Sequence, residues 1–265
     1  MKKIWSLSVL LLWLTTSLAV AQECSRLIVT GPPAAAPASW VDEKGKLTGA
    51  AVEFVVSLAR TAGFKDIELR TFPTWSLSLQ AAYRGEVDII FSTNWSEERD
   101  RYLDYVRPAM SGQFLNVVVR RGEAFTLNSL DGLLGRTGAN AEGETYGDGY
   151  FGDFVRKQLT LTKAPSIEKV FDLLLEKKVD YILGFENAVY EQIMVRNLGT
   201  QLQSLNTFPT RVEGFIAFSK RSKCSEAVRD KFADQVAVPA SSQHYRLLMI
   251  KYREIFNEGL TRPTK

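Results

Sequence analysis

The run Ser92-Thr93-Asn94-Trp95-Ser96-Glu97-Glu98-Arg99 places hydroxyls, an amide and a guanidinium within eight residues. An arginine can meet a carboxylate through two parallel charge-assisted hydrogen bonds, so the chemistry suggested is capture of a small anion. Ser96 reads as a helix N-cap with Glu97 and Glu98 in the first turn, which puts Arg99 just inside a helix. The bland alternative is a surface arginine paired with Glu98 or Asp100. Upstream, Val87-Asp88-Ile89-Ile90-Phe91-Ser92 reads as a largely buried strand. It delivers Ser92, Thr93 and Asn94 to its carboxyl end, where ligands sit in open α/β sheets.

A second stretch, Gly138-Ala139-Asn140-Ala141-Glu142-Gly143-Glu144-Thr145-Tyr146-Gly147, has glycines that let backbone approach a ligand and amides that favour an anion at a helix start. An ordinary strand-to-helix turn would look similar. No Gly-Lys-[Ser/Thr] follows, which excludes a nucleotide-binding P-loop. Trp75, Trp40 and Trp95 are candidate aromatic walls of a cleft; their default reading is core or surface. There is no Gly-x-Ser-x-Gly elbow, and His244, the single histidine, sits in a late helical stretch away from any nucleophile. No metal-ligand cluster and no cofactor motif is present, so no cofactor is expected. Catalysis would fall to Glu142, Glu144 or Glu186 as a general base, acting as a dehydratase or lyase.

The elements that must position these groups fall into two α/β units. The first has strand 26–30, a Gly/Pro/Ala loop, helix 51–62, strand 66–71, helix 77–83 stopped at Gly85, and strand 87–92. This alternation argues for right-handed crossovers on a mostly parallel sheet. The grammar restarts with strand 114–119, a Gly-rich loop from Gly135 to Gly152, helices 150–158 and 167–176, and strand 179–184. Strand 214–219 and helices 224–236 and 242–256 close the chain. The halves echo each other in Arg84-Gly85-Glu86-Val87-Asp88-Ile89 and Lys177-Lys178-Val179-Asp180-Tyr181-Ile182.

At the start of the chain, Met1-Lys2-Lys3, the apolar run from Ile4 to Leu14 and Ala19-Val20-Ala21 form a signal peptide over residues 1–21 with cleavage before Gln22. Gln22 and Glu23 argue against lipidation of Cys24. Loss of Lys2 and Lys3 brings 33 basic residues against 30 acidic close to balance, which argues against nucleic acid as a partner. Export into the periplasm lets Cys24 and Cys224 pair as a disulfide, the alternative being two separate thiols.

The order of motifs resembles the family 3 extracytoplasmic solute-binding proteins, receptors of polar amino acid ABC transporters. The resemblance rests on Gly45-Lys46-Leu47-Thr48-Gly49 leading into a helix, Trp75 followed by Gly85-Glu86-Val87-Asp88-Ile89, the Ser92–Arg99 block, and Asp104-Tyr105-Val106-Arg107-Pro108-Ala109. It implies a two-lobed periplasmic binding fold (type II) in which two hinge strands near 111–114 and 207–214 join lobe I (22–112 and 209–265) to lobe II (113–208). It implies Arg99 as the carboxylate clamp, with Ser92, Thr93, Asn94 and the amide of Thr145 beside it. It further implies a non-enzymatic monomer that hands a small carboxylate, an amino acid or a relative of one, to an ABC transporter permease. Presentation to a membrane sensor is the other use of such a receptor; a sensor module within this chain is disfavoured, since no membrane helix or output domain follows.

Two departures bear on specificity. Ala34-Ala35-Ala36-Pro37-Ala38 stands where such receptors carry an aromatic lid, so that wall is either missing or rebuilt by Trp40. Phe185 stands where an aspartate would hold an α-ammonium, with Glu186 next as the substitute if the register shifts by one.

Overall fold

A computed structural model of the chain describes residues 24–147, 149–205, 211–224 and 226–261. The signal-peptide segment and its cleavage point lie outside the described residues, as do residues 207–210 of the expected second hinge strand.

In the first half, β1 (Arg26–Thr30) precedes a small antiparallel sheet of β2 (Ala34–Ala35), β3 (Ser39–Val41) and β4 (Leu47–Thr48). Then come α1 (Ala50–Thr61), β5 (Asp66–Leu69), α2 (Trp75–Arg84), β6 (Ile89–Thr93), the one-turn α3 (Glu97–Asp100) and β7 (Leu103–Tyr105). The long β8 (Ser111–Arg120) crosses into the second half, which holds β9 (Gly138–Ala141), α4 (Tyr150–Gln158), β10 (Leu161–Ala164), α5 (Ile167–Leu175), β11 (Tyr181–Phe185), α6 (Glu186–Val195) and β12 (Leu202–Leu205). The chain then returns through β13 (Arg211–Ser219) to α7 (Glu226–Val236) and α8 (Pro239–Thr261).

The main sheet runs β10-β9-β11-β8-β13-β6-β1-β5. At one end β1 pairs in parallel with β5 and β6; at the other β9 pairs in parallel with β10 and β11. Between them β8 and β13 pair antiparallel, Ser111 opposite Gly214 and Phe114 opposite Arg211. This is the two-lobed α/β architecture the motif order implied.

The central strands of each lobe are buried on both faces. The period of two sends Ile89 and Phe91 into one apolar cluster with Phe54, Val55 and Phe218, and Ile90 into another with Leu79, Leu103 and Phe215. In the second lobe Val118 packs with Phe171, Leu174 and Ile182, while Val117 and Val119 pack with Leu133, Tyr181 and Leu183 on the opposite face. The Val-Asp echo has a structural cause. The Asp88 N–H donates to Ile28 O and its carboxylate accepts from the Ile28 N–H, both at 2.8 Å. Asp180 repeats this clamp on Thr137, at 2.8 and 2.7 Å. In each lobe one aspartate therefore fixes the register of a central strand against its neighbour.

Several elements differ from the sequence expectations. The stretch 135–152 is not one loop: Gly138–Ala141 is a fully buried strand whose small residues give no periodic apolar signal. Strands β10 and β12 and helix α6 were not anticipated. Helix α6 turns buried Glu191 and Gln192 inward, which hides its apolar stripe from a periodicity reading. Helix α8 is longer than expected, reaching back to Pro239 and on to Thr261.

The described residues include no helix long and apolar enough to cross a membrane. Cys24 and Cys224 form a disulfide across a sequence separation of 200, joining the chain before β1 to the segment ahead of α7. A crosslink spanning so long a loop restricts the unfolded chain strongly. Replacing Cys224 by Ser should lower unfolding free energy by about 2–5 kcal/mol. Urea denaturation of the variant beside the oxidised protein checks this, and matching midpoints would show that the bridge does not stabilise the fold.

Candidate functional site

The site begins at the carboxyl end of β6. Ser92 takes φ 56°, a left-handed backbone rare for a residue with a side chain, and this turns the chain toward α3. Ser96 caps α3, its hydroxyl accepting from the Arg99 N–H at 3.3 Å. The one-turn helix thereby points the Arg99 side chain back under the strand end. Its Nη1 donates to Thr93 Oγ1 at 3.3 Å and to Asn94 O at 3.1 Å, and its Nη2 donates to Gly143 O in the other lobe. Arg99 is 3% exposed, and among the described residues no carboxylate forms an ion pair with it. Burial pulls its pKa down, while Tyr105, Tyr102, Glu98 and Glu144 act the other way.

Around this guanidinium the lobes touch. Thr74 caps α2, its hydroxyl accepting from the Leu77 N–H, and so presents Trp75 on the first turn. The Trp75 indole donates to Gly143 O at 3.2 Å, and the Arg99 guanidinium lies 5.9 Å from its ring centroid. Asn94 Nδ2 donates to Thr145 O at 2.6 Å. Gly143 takes φ 79°, and a Cβ there would lie 2.9 Å from Leu79 Cδ1 and 3.3 Å from Ser76 Cα. A glycine is what lets the second lobe's loop come this close to α2. Farther along the contact, the Ala36 N–H donates to Glu191 Oε2 at 2.6 Å and Tyr190 OH to Asn257 Oδ1 at 2.6 Å.

These contacts enclose a cavity of about 530 Å³, a size suited to a small molecule. Ser92, Asn94, Arg99 and Trp75 line it from one lobe; Thr145, Glu142, Glu144, Glu168, Glu191 and Phe185 line it from the other. Thr145 Oγ1 is buried and has no hydrogen-bond partner among the described residues. Thr93 is wholly buried behind the wall and supports Arg99 rather than facing the cavity.

Three expected residues lie elsewhere. Trp40 is not the rebuilt wall: its ring packs edge-on against Tyr252 and Phe256 of α8, with centroids 5.9 and 5.3 Å away. Pairing of β2 with β3 turns it toward the helix, while Ala34 and Ala35 line the cavity. Glu186 opens α6 and lines a smaller pocket of about 140 Å³ beside the hinge, so Phe185 is the residue facing the main cavity. Trp95 donates to Asp100 and borders a separate cavity behind Arg107 and Phe215. Conversely, Glu168, Glu191 and Gln113 escaped the sequence reading. Gln113 Nε2 donates to Ser92 O at 3.2 Å and Asn94 Oδ1 at 3.3 Å from the first hinge strand.

Burial raises the carboxyls of Glu144 and Glu191 to about 7, against the hydrogen bonds from Tyr146 and the Ala36 amide respectively. The folded state thus holds protons between about pH 4.5 and 7 that the unfolded chain has released. Stability accordingly falls as pH rises through that window. Carboxylates held low, such as those of Glu53, Asp153 and Asp180, oppose this trend only below their ordinary range. Without ligand, the midpoint of thermal unfolding should be several degrees higher at pH 5 than at pH 8. The double substitution Glu144→Gln and Glu191→Gln should flatten the profile; an unchanged slope would remove these two groups as its source.

Among curated proteins, none matches the chain. Solved structures match it closely in shape. A histidine kinase sensor domain with similarity to periplasmic binding proteins shares 23% identity, covers 86% of this chain and 95% of its own, and superposes with a TM-score of 0.69. The P235GK mutant of an arginine-binding protein from T. maritima shares 18% identity over 87% of this chain and 96% of its own, at 0.70. An amino acid ABC transporter substrate-binding protein from Streptococcus pneumoniae bound to L-arginine shares 16% identity over 92% and 99%, at 0.72. At these identities the likeness establishes the fold. Residues 27–254 match a sequence family directly, and on that match the chain belongs to the bacterial extracellular solute-binding proteins, family 3.

Proposed function

We propose that this protein is a periplasmic receptor that closes two lobes around a small carboxylate-bearing molecule, an amino acid or a relative, and delivers it to an ABC transporter. The observation that carries this reading is Arg99: a guanidinium 3% exposed, with no carboxylate paired to it among the described residues, on the wall of a cavity between two lobes. An isolated buried charge is costly, and an incoming carboxylate that meets its fork removes the cost. Asn94 and Thr145 flank it as further polar contacts, and Trp75 supplies an apolar wall.

Lobe I comprises residues 22–112 and 209–265 and lobe II residues 113–208, hinged at the β8–β13 pair. Ligand bound to both lobes adds differential affinity for the closed form, which the transporter recognises. The bonds from Trp75, Arg99 and Asn94 to the 143–145 loop favour the same closed arrangement. The protein acts as a monomer and without catalysis; turnover of a bound compound would overturn that part. The likeness to a histidine kinase sensor domain supports a second use, in which the same closed form is presented to a membrane sensor.

Calorimetry with the compound that gives the largest thermal shift in a screen of amino acids and carboxylates tests the reading. Arg99→Ala should weaken binding at least a hundredfold, and Arg99→Lys, which keeps charge but not the fork, by an intermediate amount. Full affinity in Arg99→Ala would end the carboxylate clamp. Gly143→Val should keep Arg99 intact yet prevent close approach to α2, lowering affinity tens-fold and abolishing ligand-induced compaction in small-angle scattering.

A further inference from the structure

Four glutamates line the main cavity, and among the described residues none of them forms an ion pair. Two come from the second lobe's helices: Glu168 on the first turn of α5 and Glu191 in the middle of α6. Glu191 is 9% exposed, and a single hydrogen bond, from the Ala36 amide to Oε2, serves it. Its other oxygen has no partner among the described residues. Beside it Gln192, 3% exposed, donates from Nε2 to Glu168 Oε1 at 3.3 Å and leaves its own buried Oε1 without a donor. Two carboxylates and a carboxamide oxygen, all acceptors, are thus gathered from two neighbouring helices, with few donors to serve them among the described residues.

Glu168 is exposed and Glu191 buried, so the charge of Glu168 adds to the cost of keeping Glu191 ionised. The Glu168 carboxylate contributes this way to the raised pKa of Glu191. A ligand group that brings positive charge and several N–H donors would relieve both the repulsion and the unfilled acceptors. Nearby walls suit the stem of such a ligand: Phe72, Trp75 and Ile167 are apolar or aromatic, and aromatic faces attract cations.

We infer that Glu168 and Glu191, with Gln192 behind them, form a subsite for a guanidinium or ammonium group, so that the ligand is a carboxylic acid carrying a distal cation. This rests on the proposed receptor function and on Arg99 as the carboxylate anchor, and it adds the chemical class of the ligand's other end. Phe185, facing the cavity where Glu186 does not, leaves no carboxylate on that turn for a second cation.

The test uses the protein purified from a periplasmic expression host with its disulfide intact. Binding is measured by calorimetry for arginine against citrulline, and for 5-aminopentanoate against pentanoate. Each cationic compound should bind at least tenfold more tightly than its neutral counterpart. In Glu168→Gln and Glu191→Gln that preference should shrink by a comparable factor, with the neutral compounds little affected. Equal weakening of cationic and neutral compounds in Glu191→Gln would show that this residue only holds the lobes together through Ala36, and would overturn the subsite. So would preference for the neutral or an anionic carboxylate in the unsubstituted protein. If no carboxylate binds, or if Arg99→Ala binds all four compounds unchanged, the receptor reading fails first and takes the subsite with it. Loss of all binding in Arg99→Ala with no cation preference leaves the anchor standing and sinks the subsite alone.

Discussion

A guanidinium placed out of water with no carboxylate beside it sets the terms for the rest of this molecule. Among the described residues of the first lobe, no carboxylate forms an ion pair with Arg99. It is held by dipoles, the Thr93 hydroxyl and the Asn94 carbonyl, and by the Gly143 carbonyl that reaches it from the other lobe. Each of these acceptors depends on an exact turn of backbone: Ser92 in the left-handed region, Ser96 capping a helix of one turn, and Gly143 in a conformation and a space that a side chain would not tolerate. The strands beneath are buried on both faces, which keeps that end of the sheet rigid enough to hold the group in place.

The electrostatics of the two lobes are complementary in an unusual way. One wall of the cavity carries a cation with unspent donors, while the other carries carboxylates with unspent acceptors. Among the described residues no direct ion pair joins the two walls, and Glu144 acts on Arg99 through its charge alone. Closing the lobes over a molecule of matching polarity would settle both deficits together. Closing them over nothing leaves Glu144 and Glu191 as carboxyls raised to about 7, each a burden on the closed form in neutral solution. In the proposed receptor, residues assigned to ligand capture would therefore also discourage empty closure.

Much of this was legible in the sequence, and the rest was hidden for identifiable reasons. Arg99 stood out because a polar strand end, a capping serine and an arginine three residues later form a local pattern. The strands around it stood out because β-branched and aromatic residues mark buried positions. Glu168 and Glu191 were invisible because a glutamate on a helix is ordinarily a solvated surface residue, and nothing local says which face turns inward. Trp40 was misplaced because an aromatic residue near a cleft and one against a distant helix read alike; the partner, Phe256, lies over two hundred residues away. Strand β9 was missed because Gly-Ala-Asn-Ala has neither bulk nor alternation, although its narrowness is what lets α5 and the cavity wall sit close to the sheet.

The threading of the chain through the two lobes has a consequence for biogenesis. The second lobe, from β8 to β12, is one uninterrupted segment and can acquire its core before the rest of the chain is complete. The first lobe cannot, because β13 lies between β6 and β8 in its sheet and arrives last, together with α7 and α8. Until then β6 presents an unpaired edge beside a guanidinium that has no shelter. Cys224 follows β13 in the chain, so the Cys24–Cys224 bond ties the start of the first lobe to the segment that completes it, in the lobe whose synthesis begins first and ends last.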